Sequence, residues 1–158
     1  MADARGLYAV QGEVADPHNL RGIFTTDETG RYSFATIRPT PYPVPTDGPA
    51  GELFALADRH SWRPAHIHYR VEAPGHVGVT MHVFDGASAY LDSDAVFGVR
   101  NSLIRPFVAD AEGVYRATFD IVLTPLCDLR SQTRSTTRRG LVQPFRNNFR
   151  FRLPFSAP

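Results

Sequence analysis

The sequence contains a single cysteine and no long apolar segment, and both features limit what kind of protein it can be. Because Cys127 is the only cysteine among 158 residues, an internal disulfide framework and a cysteine-rich zinc site are both excluded. No apolar run approaches the roughly 20 residues needed to cross a bilayer. The first residues also lack the basic and apolar regions of a secretory signal. We therefore expect a cytoplasmic protein that does not bind a membrane.

Charge is distributed unevenly along the chain. Residues 128–158 contain seven arginines and one acid, Asp128, which leaves residues 1–127 with 10 basic and 15 acidic residues. A basic segment can bind nucleic acid or anionic membranes, but no recognisable binding module accompanies this one. We therefore predict one domain over residues 1–127. A basic tail of unknown role follows over residues 128–158; it is a candidate for disorder, and we expect no nucleic acid as partner.

The pattern of apolar and turn residues predicts short strands separated by turns. Asp27–Gly30 supplies turn chemistry between two runs rich in β-branched and aromatic residues, which is typical of a β-hairpin. Further strand-like runs begin at Ala65, Val77 and Val114, and Glu52–Ala57 is suited to one or two helical turns. Repeated short strands without alternating helices indicate an all-β sandwich or barrel.

Five prolines lie within residues 39–49 and surround Tyr42. Such density forbids a regular helix or an internal strand, because each proline removes a donor and fixes φ. A loop this stiff can hold one side chain in place at little extra entropic cost. A tyrosine taken alone, whether Tyr42 or Tyr8, is nevertheless most often a half-buried core residue with its hydroxyl hydrogen-bonded.

The strongest local signal is the pair His66 and His68. Side chains alternate between the faces of a strand, so both imidazoles project from one face and can reach a single metal ion. Glu72 has the same parity, and His-x-His with a following Glu resembles the first motif of cupins, a β-barrel family of metal enzymes. Cupins place a glycine where this chain has His60, and their second histidine motif is absent downstream.

A longer segment, PYPVPTDGPAGELFALADRHSWRPAHIHY, resembles the signature of the intradiol ring-cleavage dioxygenases. In the catechol and hydroxyquinol branch, a tyrosine precedes the first histidine by a fixed interval, which the spacing of Tyr42 and His66 matches. Upstream, GLYAVQ resembles the segment that carries the first iron-binding tyrosine, and the likeness extends over Arg5 to Leu123. The hydroxyquinol 1,2-dioxygenases are most similar, since His82 stands where catechol-type members usually carry glutamine.

The resemblance implies a β-sandwich of mainly antiparallel strands, with long loops and one or two short helical turns, around a non-haem Fe(III). Its ligands would be Tyr8, Tyr42, His66 and His68. Phenolates and imidazoles form a hard, anionic set that favours iron(III) over softer ions. Because the unperturbed pKa of tyrosine is about 10, a phenolate at neutral pH requires a strong local cation, which a trivalent metal supplies.

The resemblance also implies a reaction, in which O2 splits a small aromatic diol between its two hydroxyls during aromatic hydrocarbon catabolism. The substrate would be of hydroxyquinol or catechol type, and the product a muconate or maleylacetate. Tyr42 would be both a ligand and the general base, and Arg63 would stabilise charge that develops on the ring. The positions expected to contact the substrate are Val44, Pro45, Arg63, His82 and Val96.

The chain departs from the family pattern at both ends. Members of this branch carry a long helical N-terminal region used for dimerisation, and sandwich strands before the first tyrosine, whereas seven residues precede Tyr8 here. After Leu123 the likeness stops. We therefore expect a truncated or frameshifted product whose sandwich has an exposed strand edge. A catalytically inactive remnant of the family and a cupin-like metalloprotein are the alternatives, and the homodimer of full-length relatives is an open expectation.

Overall fold

A computed structural model of the protein describes residues 2–8, 16, 18–126 and 148–150. This part of the chain contains one α-helix, one 3-10 turn and eight short strands. In chain order these are β1 (Tyr42–Pro43), α1 (Pro49–Leu56), β2 (Trp62–Arg63), β3 (His66–Val71), β4 (Val79–Asp85), the 3-10 turn Asn101–Leu103, β5 (Ile104–Arg105), β6 (Val108–Ala109), β7 (Tyr115–Thr118) and β8 (Asn148–Arg150).

The strands form three small sheets, ordered β1-β2, β3-β4-β5 and β6-β7-β8. Every pairing is antiparallel except that of β4 with β5, which is parallel. The prediction of an all-β fold with mainly antiparallel strands and one short helix is therefore confirmed. Within the described ranges, no helix is long and apolar enough to cross a membrane.

Strands β3 and β4 form the longest pairing and separate two chemical environments. Ile67 lies opposite Val83, and both are buried in the core. The neighbouring pair, His68 and His82, projects from the other face, because side chains alternate along a strand. Buried residues that form the core with the first pair are Phe107, Ala117, Phe119, Ile121 and Leu123.

The proline-rich loop is held by contacts just before Tyr42 and at Tyr42 itself. Before it, the Arg38 Nε donates to the buried carboxylate of Asp85 at 2.6 Å, at the end of β4. At the loop itself, Tyr42 pairs with Arg63 in the two-stranded sheet β1-β2. This sheet has no inner strand, so Pro43 occupies an edge, where a missing amide donor is tolerated.

The predicted hairpin around residues 27–30 is only partly present. Its turn forms as expected: the Asp27 amide donates to the Arg31 carbonyl at 2.8 Å, and the Gly30 amide donates to the Asp27 carbonyl at 2.9 Å. The flanking runs, however, belong to none of the strands given above. The β-branched and aromatic residues of these runs favour an extended backbone. A strand forms, however, only where a neighbouring segment pairs with it through backbone hydrogen bonds.

The described part of the predicted basic tail, Asn148–Arg150, forms β8 and pairs antiparallel with β7. Cys127 and the remainder of residues 128–158 lie outside the described residues. A separate role for this segment stays a prediction.

Replacing Val83 with alanine should lower the free energy of unfolding by about 2 to 3 kcal/mol, since it removes two buried carbons and leaves a cavity. Val83 is 2% exposed, whereas Val108, the matched control, is 62% exposed. Val108→Ala should cost less than about 1 kcal/mol. Urea unfolding followed by circular dichroism measures both. Equal losses in the two variants would contradict the core assignment.

Candidate metal centre

Three imidazoles meet on one face of the β3-β4 sheet. His68 lies directly opposite His82 in the register, with ring centroids 4.3 Å apart. His66 lies 4.9 Å from each of these rings. One ligand atom from each histidine falls within 4.8 Å of the others. The face therefore gathers nitrogen donors of the kind that transition metals bind.

The imidazole of His66 is held in a defined tautomer. Its Nδ1 lies 2.6 Å from the Pro64 carbonyl oxygen. A carbonyl can only accept, so Nδ1 carries the proton and Nε2 keeps its lone pair. This Nε2 lies 3.2 Å from the Nε2 of His68. The separation suits two neighbouring ligands of one ion at about 2.1 Å, and a backbone partner on the far nitrogen is typical of metal-binding histidines.

The two tyrosines predicted as ligands join the same cluster. The Tyr8 hydroxyl donates to the Tyr42 hydroxyl at 3.0 Å. The Tyr42 hydroxyl in turn lies 3.4 Å from the Nε2 of His66. Gly6 permits this approach, because it has φ 84° and a Cβ at this position would lie 3.0 Å from the Cβ of Tyr42. A continuous series of contacts thus links all four predicted ligands.

Burial sets the protonation of the metal-free cluster. It lowers the pKa of His66 to about 3, against a smaller opposing effect of the Pro64 hydrogen bond. Burial, followed by the electrostatic effect of the neighbouring His82 imidazole, lowers the pKa of His68 to about 4. Burial and the hydrogen bond to Tyr42 raise the pKa of Tyr8 above its ordinary value.

The protonation of the cluster fits the metal that the sequence predicts. Neutral imidazoles are ready to coordinate, whereas a buried phenol ionises only beside a strong compensating cation. Two phenol oxygens and two imidazole nitrogens together form a hard donor set of the type that holds Fe(III). The residues present therefore fit a ferric ion.

Arg63 reaches the cluster from β2 and is itself buried. Its Nη1 lies 3.4 Å from the Tyr42 hydroxyl and 3.3 Å from the His66 Nε2. On its other side it forms an ion pair with Asp94, whose Oδ1 lies 3.0 Å from the Arg63 Nε. Sequence reasoning identified Arg63 but missed Asp94. Nothing local distinguishes this acid from the exposed Asp92 two residues earlier.

The other predicted substrate contacts differ in exposure. Val44 is half-buried and Pro45 is exposed, and both directly follow β1. Val96 is 46% exposed and lies on the loop that carries Asp94. His82 is half-buried and stands beside the two histidine ligand candidates, so it can contact either a metal or a substrate.

The carboxylate on which a cupin interpretation would depend is engaged elsewhere. Glu72 forms an exposed ion pair with Arg70 at 2.7 Å. His60, which occupies the cupin glycine position, lies 2.9 Å from the Ser93 hydroxyl through its Nε2. Neither contact joins the histidine cluster, so the geometry favours the tyrosine-containing ligand set.

Comparison with known proteins gives consistent matches. The family described as "Dioxygenase" matches residues 1–125. The 6-chlorohydroxyquinol 1,2-dioxygenase of Cupriavidus pinatubonensis is 50% identical over 124 residues, which are 78% of this chain and 45% of that protein. The hydroxyquinol 1,2-dioxygenase of Rhizobium sp. is 47% identical over 114 residues, 70% of this chain and 39% of that protein.

A solved structure is similar over part of this chain. The hydroxyquinol 1,2-dioxygenase from Pseudomonas putida DLL-E4 shares 34% identity and a TM-score of 0.43, over 73% of this chain and 34% of that one. The chain spans less than half the length of the curated relatives described above, at 45% and 39%.

The stability of the metal-free protein should fall in acid because of His66. The pKa of His66 lies at about 3 in the folded protein, below the value of about 6.5 expected in the unfolded chain. Unfolding therefore takes up a proton between these values, and stability is lost as the pH falls. The expected slope from this group is about 1.4 kcal/mol per pH unit between about pH 6 and pH 4.

Urea unfolding at several pH values measures this slope. His66→Gln should reduce it by the contribution of one proton. The exposed His18 provides the matched control, and His18→Gln should leave the slope as in the unmodified protein. A slope that is unaffected by His66→Gln would show that this imidazole is not buried in its neutral form.

Proposed function

Because this chain belongs to the intradiol ring-cleavage dioxygenase family, we propose that it cleaves an aromatic 1,2-diol with O2 at a non-haem Fe(III) site. The observation that carries the proposal is the convergence of two phenols and two imidazoles, through contacts of 3.0, 3.4 and 3.2 Å. The residues that would hold the iron are Tyr8, Tyr42, His66 and His68.

When bound, the ferric ion supplies Lewis acidity that keeps the diol deprotonated and its ring electron-rich. The protein supplies the proton acceptor. Tyr42 is buried, and its hydroxyl lies at the centre of the cluster, within 3.4 Å of both His66 and Arg63. A phenolate at this position can take a proton from the incoming diol as general base. Tyr42 is therefore the proposed catalytic tyrosine.

Arg63 supplies a fixed positive charge beside the same hydroxyl. Its Nη1 lies 3.4 Å from Tyr42, and the guanidinium stays charged at any pH at which the protein is folded. Negative charge that develops on a ring bound next to Tyr42 would face this cation, whose side chain is itself buried. Electrostatic stabilisation of that kind is commonly the largest single contribution to catalysis.

The substrate that we favour is of the hydroxyquinol type, with catechol as the second choice, since the two relatives described above are named for hydroxyquinols. In the proposed reaction the bond between the two hydroxyl-bearing carbons breaks, and both atoms of O2 enter a product of muconate or maleylacetate type. The proposed substrate contacts beside Arg63 are His82, Val44, Pro45 and Val96. A cytoplasmic location and homodimeric assembly stay predictions.

Tyr42→Phe should change the colour and remove the activity of the iron-loaded protein. Tyrosinate bound to Fe(III) absorbs visible light, so loss of one phenolate should bleach or shift the band. Oxygen uptake with hydroxyquinol should fall at least 100-fold, about the contribution of a general base. Tyr90 stacks on Trp62 with centroids 5.5 Å apart, and Tyr90→Phe is the matched control, which should keep both properties.

Oxygen uptake and product analysis test the reaction itself. Soluble, iron-loaded protein should consume O2 with hydroxyquinol or catechol, and mass spectrometry with labelled O2 should find both labelled atoms in one ring-opened product. A 1,4-diol, whose hydroxyls cannot both reach one metal ion, should give no uptake. A red-brown protein that consumes no O2 with either 1,2-diol would contradict the proposed function and leave an inactive member of the family.

A further inference from the structure

Asp94 holds one edge of the Arg63 guanidinium inside the protein. The two residues are 3% and 5% exposed. The carboxylate accepts from Nε at 3.0 Å through Oδ1 and from Nη2 at 3.4 Å through Oδ2. A guanidinium is planar and presents its donors in a fixed fork. Engaging two of its three nitrogens therefore sets the direction of the third.

The third nitrogen, Nη1, points at the candidate metal centre. It lies 3.4 Å from the Tyr42 hydroxyl and 3.3 Å from the His66 Nε2. A long arginine side chain has many rotamers, so holding it in one of them requires specific contacts. The carboxylate behind Arg63 makes two such contacts, at Nε and Nη2, and leaves Nη1 facing the cluster.

Backbone amides hold the carboxylate of Asp94 in turn. The Gly98 amide donates to Oδ2 at 2.8 Å, and the Val96 amide lies 3.4 Å from Oδ1. A Cβ at position 98 would lie 3.1 Å from the Arg63 Nη2 and 3.2 Å from the Asp94 Oδ2. A side chain at this position would crowd the ion pair, so glycine lets the loop close over it.

The loop is also fastened to the segment that carries Arg63. The Ala95 amide donates to the Trp62 carbonyl at 3.1 Å. Arg59 donates from Nη2 to the Asp94 carbonyl at 3.2 Å, and its guanidinium lies 4.1 Å above the ring of Phe97. Residues 94–98 are therefore attached at two points to the segment just before Arg63, which holds the two partners of the ion pair next to each other.

We propose that Asp94 is a positioning residue of this site, which acts through Arg63 by aiming Nη1 at Tyr42 and His66. The assignment rests on the proposed function in so far as it concerns catalysis. Asparagine at position 94 would keep the size of the side chain but present an amide donor to a guanidinium donor. The Arg63 guanidinium would lose one hydrogen-bond acceptor and meet an NH2 group in its place. This repulsive contact would turn the guanidinium away from the cluster.

The kinetic test compares Asp94→Asn, Asp94→Glu and the control Asp92→Asn in the iron-loaded protein. Asp94→Asn should lower kcat by roughly 10- to 100-fold, since a displacement of about 1 Å can cost about 100-fold. KM for the diol should change much less, and the visible band should persist because all four proposed ligands remain. Asp94→Glu keeps the charge and should recover part of the rate. Asp92 is exposed, and its variant should behave as the unmodified protein.

A double-variant comparison separates positioning from general damage to the loop. If Asp94 acts through Arg63, adding Asp94→Asn to Arg63→Gln should slow the enzyme little further. A loss as large as that in the unmodified background would overturn the proposal. Should Asp94→Asn fail to fold because a buried cation lacks its partner, the double variant, which removes both charges, and Asp94→Glu still give the comparison.

Nuclear magnetic resonance of the metal-free protein tests the positioning without any turnover. The Nε–H signal of Arg63, identified by its loss in Arg63→Gln, should be resolved and slow to exchange with solvent. It should shift and exchange faster in Asp94→Asn but not in Asp92→Asn. An unchanged signal would overturn the proposal even in an active enzyme. The expected shift in a protein that consumes no O2 would uphold the positioning and reject only the proposed function.

Discussion

Strands β3 and β4 pair so that His68 lies opposite His82 and Ile67 lies opposite Val83. This register assigns one face of the sheet to the imidazoles and the other to the hydrophobic core. Side chains repeat every two residues, so a slip of one residue would exchange the two faces. The core and the candidate metal centre are consequently stabilised by one set of backbone hydrogen bonds, and neither can form correctly without the other.

The candidate site consists of a neutral cluster, a cation beside it and an anion behind the cation. The cluster is neutral in the absence of metal, because burial keeps His66 deprotonated and Tyr8 protonated. Beside it lies the cation Arg63, which burial alone would disfavour. Asp94 compensates that cation from behind, where it does not face the ligand atoms. The arrangement leaves a positive edge directed at the Tyr42 hydroxyl and the His66 Nε2.

The part of the candidate site that the sequence could predict is the part whose chemistry is local. His66 and His68 share a face through the alternation of a strand, and the prolines around Tyr42 hold it in a stiff loop. The all-β fold class was predictable for the same reason, and β3, β4 and α1 lie close to their expected positions. The runs beside the turn at residues 27–30 were predicted as a hairpin and belong to none of the assigned strands, since composition does not specify a pairing partner.

What the sequence by itself determined is the kind of chemistry. It contains two imidazoles on one strand face, an arginine just before those histidines, and two tyrosines at family spacing. Only the tertiary structure decided which distant groups complete it. Tyr8 meets Tyr42 across 34 positions, and Asp94 meets Arg63 across 31. The periodicity of a strand fixes neighbours two residues apart, whereas contacts between separate loops depend on how the whole chain packs, and no local pattern records that.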